Sequence, residues 1–367
     1  MKTILVYGLK NVIGGIENYL MMMHKYLHQD LKFVFIVEEA DEFIYAKQIE
    51  ENNGEIVFLP ERHNFGSYRE KLQKILKGYR GVADIFYVNV GHISFDIIPI
   101  KMALSEGYKV ITHSHSAMQE PIQSIPYRIR QGVLRTVAMI QLRNAKVERL
   151  AVSERAGDYL YKGKSYQIVS PGIEVTRYRY DPQVRAEVRE RYSLANDFVL
   201  GFVGRFVAVK NPLFLLDILY DVKQHIPNTK LFLVGDGALK EEMIDKANQL
   251  NLGEDIVFVG EVKQTEDYYQ AMDVLLAPSL SEGMPLGIME AQSEGVPCIC
   301  AKGNFPENID VTGIVGFCSL ESGAEAWSNK AQAIFSMEIN RFAMNETVKK
   351  SSLNIENAAK KLLEVLE

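Results

Sequence analysis

Residues 274–302 read VLLAPSLSEGMPLGIMEAQSEGVPCICAK. The apolar run at 274–277 is long enough for one buried strand. Pro278-Ser279 ends it, and a loop then carries Glu282 and Gly283. Pro285 suits a first helical position, because its ring presets φ and its missing N–H would be unpaired there anyway. The helix carries Glu290 and stops before Gly295, and residues 296–301 read as a second apolar strand. Strand, loop, helix and strand make one unit of an open parallel α/β sheet, whose ligands gather at the carboxyl ends of the strands.

The turn is built to hold something. The amides of Leu286, Gly287 and Ile288 lie at a helix N-terminus, where unpaired N–H groups and the macrodipole favour an anion such as a diphosphate. Gly283 and Gly287 let a ligand approach the backbone. Glu282 and Glu290 repel phosphate and match neutral hydroxyl donors, as in a clamp on ribose or hexose. Read singly, either glutamate is an ordinary solvated charge; a pair flanking a glycine-rich helix start favours a ligand.

With Glu282 and Glu290 eight residues apart, the stretch resembles the E-x7-E signature of retaining glycosyltransferases of family 4, which have the GT-B fold. The run PSLSEGMPLGIMEAQSEGVPCI is similar to the bacterial capsular and exopolysaccharide branch, where Met284-Pro285 is a known variant of the second glycine. The resemblance spans nearly the whole chain and is sharpest from Gly201 to about Leu320. It implies two Rossmann-like α/β domains facing a central cleft. It also implies donor contacts from Glu282, Gly283, Met284, Pro285, Leu286, Gly287 and Glu290.

The 367 residues exceed one typical domain and suit two, each able to bury a core. A net charge of −6 argues against general nucleic-acid binding. The N-terminal apolar run is too short for a signal peptide, and no stretch approaches the roughly 18 apolar residues of a membrane span. The chain therefore reads as cytoplasmic. Cys298, Cys300 and Cys318 have no histidine nearby and read as small core residues rather than a metal site or a disulfide framework.

Apolar runs alternate with helical patterns along the chain, the mark of βαβ units. Expected strands lie at 4–8, 33–37, 56–59, 85–90, 110–112, 150–152 and 167–169, then at 199–203, 230–234, 256–259, 274–277 and 296–300. Ser170-Pro171-Gly172-Ile173-Glu174 resembles the segment joining GT-B domains. The expected division is 1–170 for an acceptor domain, 171–344 for a donor domain, and 345–367 for a final helix crossing back to the first domain.

In the first domain, Gly14-Gly15 opens a helix and can serve a phosphate or sugar, although glycine pairs open many such turns for steric reasons. Family resemblance places the pair beside the donor sugar. Residues 110–112 lead into His113-Ser114-His115-Ser116. A neutral imidazole at a strand end can both donate to and accept from a hexose hydroxyl. The resemblance assigns that role to His113, with His115 as the fallback. Residues 126–150 hold Arg128, Arg130, Arg135, Arg143, Lys146 and Arg149 against the single acid Glu148. Ile129, Val133, Val137 and Ile140 line one helical face. The segment reads either as a packed helix with a solvated cationic face or as peripheral contact with anionic membrane.

In the second domain, Arg205 and Lys210 fall between a strand end and a helix start, where cations meet a diphosphate. The GRF-x3-KNP pattern, with Gly204, matches the family's donor phosphate pair. Gly235 and Gly237 read as a tight turn, and Gly260-Glu261-Val262 lies where the family reads the base. The implied reaction moves a hexose or N-acetylhexosamine from a nucleoside-diphosphate sugar, UDP above all, to a glycan or polyprenyl-diphosphate-linked acceptor. By family the configuration is retained, with His113, Glu282, Arg205 and Lys210 at the reacting centre. No Asp-x-Asp pair occurs, so the reaction is expected to need neither metal nor cofactor. A nucleotide-sugar epimerase or a non-catalytic nucleotide-sugar-binding protein of the same fold is the alternative. A dehydrogenase is disfavoured, since no G-x-G-x-x-G follows the first strand.

Overall fold

The structure, a computed structural model, describes every residue except 13, 41, 63, 92, 116–124 and 283–284; for 93–96, 125–131 and 307 it describes the backbone alone. The chain divides into two units, Met1–Gly172 with Ile355–Glu367, and Ile173–Asn354.

In the first unit the apolar runs become β1 (Lys2–Tyr7), β2 (Leu31–Glu38), β3 (Glu55–Leu59), β4 (Ala83–Val90), β5 (Lys109–Ser114), β6 (Glu148–Ala151) and β7 (Gln167–Ile168). Among the described residues they form one parallel sheet in the order β3-β2-β1-β4-β5-β6-β7. Ile4, Val6, Phe33 and Phe35 join one core cluster, while Leu5, Tyr7, Val34 and Ile36 join another. That alternation is the period of a strand buried on both faces.

The second unit holds β8 (Phe198–Val203), β9 (Thr229–Val234), β10 (Ile256–Gly260), β11 (Val274–Ala277), β12 (Cys298–Ala301) and β13 (Val315–Cys318). Their order is β10-β9-β8-β11-β12-β13, again parallel. β13 was not among the expected strands: its four residues include Gly316 and give no periodicity to read. The three cysteines are free and buried in this unit's core.

Six helices position the site residues or complete the cores: α1 (Gly15–Leu27), α2 (Ile125–Asn144), α3 (Glu266–Ala271), α4 (Leu286–Ser293), α5 (Arg341–Lys350) and α6 (Ile355–Leu366). The single helix expected over 345–366 is two, and only α6 joins the first unit. Ser351 leaves helical geometry at φ −89°, ψ 177°, and its hydroxyl accepts from the Leu353 amide at 3.1 Å. Asn354 Nδ2 donates to Lys349 O at 2.9 Å. Such local side-chain bonds compete with the helix. The freed Leu353 carbonyl accepts from the Ile173 amide at 2.8 Å, so the two segments that leave the second unit lie side by side.

α6 lies in the same core cluster as α1. Ile355, Leu362 and Leu366 are fully buried there with Leu20 and Met23. At about 1.5–3 kcal/mol for each buried aliphatic side chain, those three residues contribute on the order of 5 kcal/mol to the first unit.

Candidate functional site

In an open parallel sheet the binding crevice lies where the strand order reverses. In the second unit that point falls between β8 and β11. The loop after β8 carries Gly204 and Arg205, then a short 3₁₀ turn Ala208–Lys210, and Asn211 in the left-handed region at φ 53°. The loop after β11 is laid against it, Leu280 N donating to Val209 O at 2.8 Å. Glu282 N donates to Asn304 O beyond β12 at 3.0 Å. These backbone bonds bring Lys210 and Glu282 together: Lys210 Nζ lies 2.5 Å from Glu282 Oε1, with side chains 27% and 12% exposed. Arg205 is exposed, and its side chain has no hydrogen-bond or ion-pair partner among the described residues.

The neighbouring strand ends are knitted in the same way. Gly204 N donates to Val234 O at 2.9 Å and Gly235 N to Gly260 O at 2.9 Å. Gly235 has φ +139°, and a Cβ there would lie 2.0 Å from Gly204 O. Only glycine fits that crossing of two strand ends. Glu261 is exposed and Val262 half-buried just past Gly260.

The helix start differs from expectation by one residue. Pro285 is the N-cap of α4, at φ −81°, ψ 104°, with no side-chain cap. Ile288 N is taken by Pro285 O at 3.2 Å, so the amides without a partner among the described residues are those of Leu286 and Gly287. Gly283 and Met284 lie outside the described residues.

Glu290 sits one turn further on and is held by the protein's own hydroxyls. Tyr178 Oη donates to Oε1 at 2.9 Å, and Tyr269 Oη donates to Oε2 at 2.8 Å. Thr265 Oγ1 approaches Oε2 at 3.5 Å. Burial raises the Glu290 carboxyl above its ordinary pKa, and the hydrogen bonds oppose that rise. Sequence reading missed Tyr178, Tyr269 and Thr265. Their separations from Glu290 follow no local spacing; the only signal was that a half-buried carboxylate needs donors.

In the first unit Gly15 opens α1 and Gly14 precedes it, as expected. His113 departs from expectation. The strand runs two residues past Thr112, and His113 stays within the sheet, paired with Asn89 and Leu150. It is 0% exposed. Its Nε2 donates to Val169 O at 3.0 Å, which leaves Nδ1 to accept from Tyr87 Oη at 2.6 Å. Both nitrogens are spent and desolvation pushes its pKa down to about 3, so the imidazole is a neutral group buried within the sheet. His115 retains accessible surface, and its Nε2 meets Asn89 Oδ1 at 2.8 Å.

The basic segment is also arranged differently from its sequence pattern. Val133, Val137 and Ile140, three of the positions expected to line one helical face, are about half exposed, with Leu134 beside them. Ala138 and Leu142 are buried in their place. Arg149 turns back to donate to the carbonyls of Arg143 and Ala145 at 2.9 Å, closing the end of α2. Arg135 lies over the Tyr159 ring at 4.7 Å. Among the described residues no helix is long and apolar enough to cross a membrane.

Residues 184–351 match the family described as Glycosyl transferases group 1. The chain is 26% identical over 326 residues to EpsF of Bacillus subtilis (strain 168), named a candidate glycosyltransferase, covering 86% of this chain and 83% of that one. It is 38% identical over 112 residues to an Escherichia coli protein named UDP-Gal:alpha-D-GlcNAc-diphosphoundecaprenol alpha-1,3-galactosyltransferase, covering 30% of this chain and 29% of that one. The fold is similar to that of Anabaena HepE crystallised with UDP, at a TM-score of 0.81 and 16% identity, covering 100% of this chain and 99% of that one. These two sheets with alternating helices are the GT-B fold.

Proposed function

We propose, the second unit being a Glycosyl transferases group 1 domain over residues 184–351, that the chain transfers a hexose or N-acetylhexosamine from a nucleoside-diphosphate sugar to a glycan. The observation that carries the proposal is the Lys210–Glu282 pair at the strand-order reversal, in the loops that lead to the start of α4, where the amides of Leu286 and Gly287 have no partner among the described residues. In this reading UDP is the nucleotide. Its diphosphate rests against the start of α4 with Lys210 and Arg205 over its oxygens, and Glu290 accepts from the ribose hydroxyls. As the sugar–phosphate bond breaks, negative charge grows on the leaving phosphate. Two cations and a helix N-terminus already in place stabilise it there without reorganising.

The configuration is retained by a front-side route, in which the leaving phosphate oxygen accepts the proton of the incoming hydroxyl. Glu282 accepts from a sugar hydroxyl while holding Lys210, a role that its ion pair with Lys210 supports. The role expected of His113 passes to His115, which keeps accessible surface. The acceptor is glycan-bearing and polyprenyl-diphosphate-linked, as in the diphosphoundecaprenol acceptor in the name of the E. coli relative. The exposed stripe Val133, Leu134, Val137 and Ile140, with Arg143 and Lys146 near its end, suits peripheral contact with an anionic membrane that carries such a lipid. The transfer needs no metal, because the cations and amides supply the positive field.

Incubation with labelled UDP-sugars, with and without a lipid-linked acceptor and with chelator present, tests this. Acceptor-dependent transfer is the expected result. Isomerised sugar would make the chain an epimerase, and binding without turnover would make it a sensor.

A further inference from the structure

The phenols that hold Glu290 come from far apart in the chain. Tyr269 lies in α3 and is 0% exposed; Tyr178 lies in the segment that enters the second unit and is 7% exposed. Each spends its single O–H on a different oxygen of the same carboxylate. The rings meet edge-on at 6.3 Å, so neither can swing away without opening the core. Tyr178 is fixed from behind as well. Asn345 Nδ2, buried, reaches the carbonyls of Val175, Tyr178 and Ser293 at 3.0–3.1 Å. Gly287 completes the fit, since a Cβ there would lie 3.1 Å from Tyr269 Oη.

A carboxylate has about four acceptor directions on two oxygens. Two are filled from within by the phenols, Thr265 Oγ1 stands at 3.5 Å from Oε2, and the side chain remains partly accessible. Phosphate is repelled from that face, whereas two adjacent neutral hydroxyls can each take one oxygen. Resting on the donor reading above, we propose that Tyr178 and Tyr269 are positioning residues that fix the Glu290 carboxylate for a vicinal diol, and so make the site select a ribonucleotide over its deoxy counterpart. The phenols do not touch the nucleotide. They hold the Glu290 carboxylate in one rotamer, and the diol is read through it.

The experiment is calorimetric titration of wild type, Tyr178→Phe, Tyr269→Phe and Glu290→Gln with UDP and with 2′,3′-dideoxy-UDP, each variant's folding checked by thermal unfolding. Wild type is expected to prefer UDP by about tenfold or more, as one charge-assisted hydrogen bond allows. Either Phe variant should shrink that ratio to within about threefold of unity, with affinity for the dideoxy compound little changed. Should Tyr269→Phe fail to fold, Tyr178→Phe alone decides. Equal weakening toward both ligands, or an unchanged ratio, overturns the positioning role while leaving the donor site standing. Wild-type protein that binds none of UDP, GDP and ADP overturns the donor reading and this inference with it.

Discussion

Lowering the pH from 8 to 5 is expected to cost the first unit about 4 kcal/mol through two buried histidines. His113 is neutral in the sheet, with its pKa pushed down to about 3 by desolvation. His24 is 0% exposed between Phe33 and Phe35, and burial followed by the nearby His28 brings it down to about 4. Both titrate near 6.5 in the unfolded chain. A base with a lowered folded pKa favours the unfolded chain as protons are added, so its stability is complete above pH 6.5 and is lost as pH falls toward the folded value. At pH 5, 1.5 units below the unfolded value and still above both folded ones, each histidine costs about 2 kcal/mol at 1.36 kcal/mol per unit. In the second unit burial raises the carboxyls of Glu290 and Glu294, so those groups favour the folded state as pH falls. Urea unfolding at both pH values separates the two. The one tryptophan, Trp327, is fully buried in the second unit and reports on it by fluorescence, while far-UV circular dichroism follows both. His24→Leu and His113→Gln should each reduce the pH 8-to-5 loss by about 2 kcal/mol. Equal losses in wild type and both variants, or no loss in any, would refute the reasoning.

Other perturbations read different parts of the structure. Lys210→Met removes the partner of a largely buried Glu282 and should lower stability by about 1 kcal/mol while weakening UDP binding tenfold or more, measured by thermal unfolding and titration. Gly235→Ala forces a methyl to within 2.0 Å of Gly204 O at positive φ and should destabilise the second unit by about 3 kcal/mol, read from Trp327 fluorescence. The pair Val133→Glu and Val137→Glu should leave stability within about 0.5 kcal/mol, since both positions are exposed, yet abolish co-sedimentation with vesicles of anionic lipid. Unaltered vesicle binding would remove α2 from any membrane role.

The architecture was legible because strands covered on both faces give unbroken apolar runs, and twelve such runs punctuated by helical periods admit few other folds. β13 escaped because a four-residue edge segment containing Gly316 has no pattern of its own. The E-x7-E stretch announced its glutamates through chemistry carried in adjacent residues. The placing of Glu282 against Lys210 came from backbone bonds between loops 72 residues apart, which no local spacing encodes. His113 misled for a related reason. A strand end was expected at Thr112, and two more paired residues were enough to turn a ligand-facing imidazole into a core one. The stripe on α2 left two readings open, because periodicity shows that a helix has an apolar face but not which neighbour covers it.

The first unit is interrupted by the second and finished by α6, the last helix in the sequence. A ribosome therefore releases the whole of Ile173–Asn354 before it supplies the apolar face that completes the earlier half. During synthesis the core on the α1 side of the first sheet stays incomplete while the later half is free to close over its own core. A nonsense mutation at Ile355 would remove α6 and about 5 kcal/mol of burial, a large part of the roughly 5–15 kcal/mol that holds a typical domain folded. Such a product would keep an intact second unit joined to a first unit prone to aggregation and proteolysis.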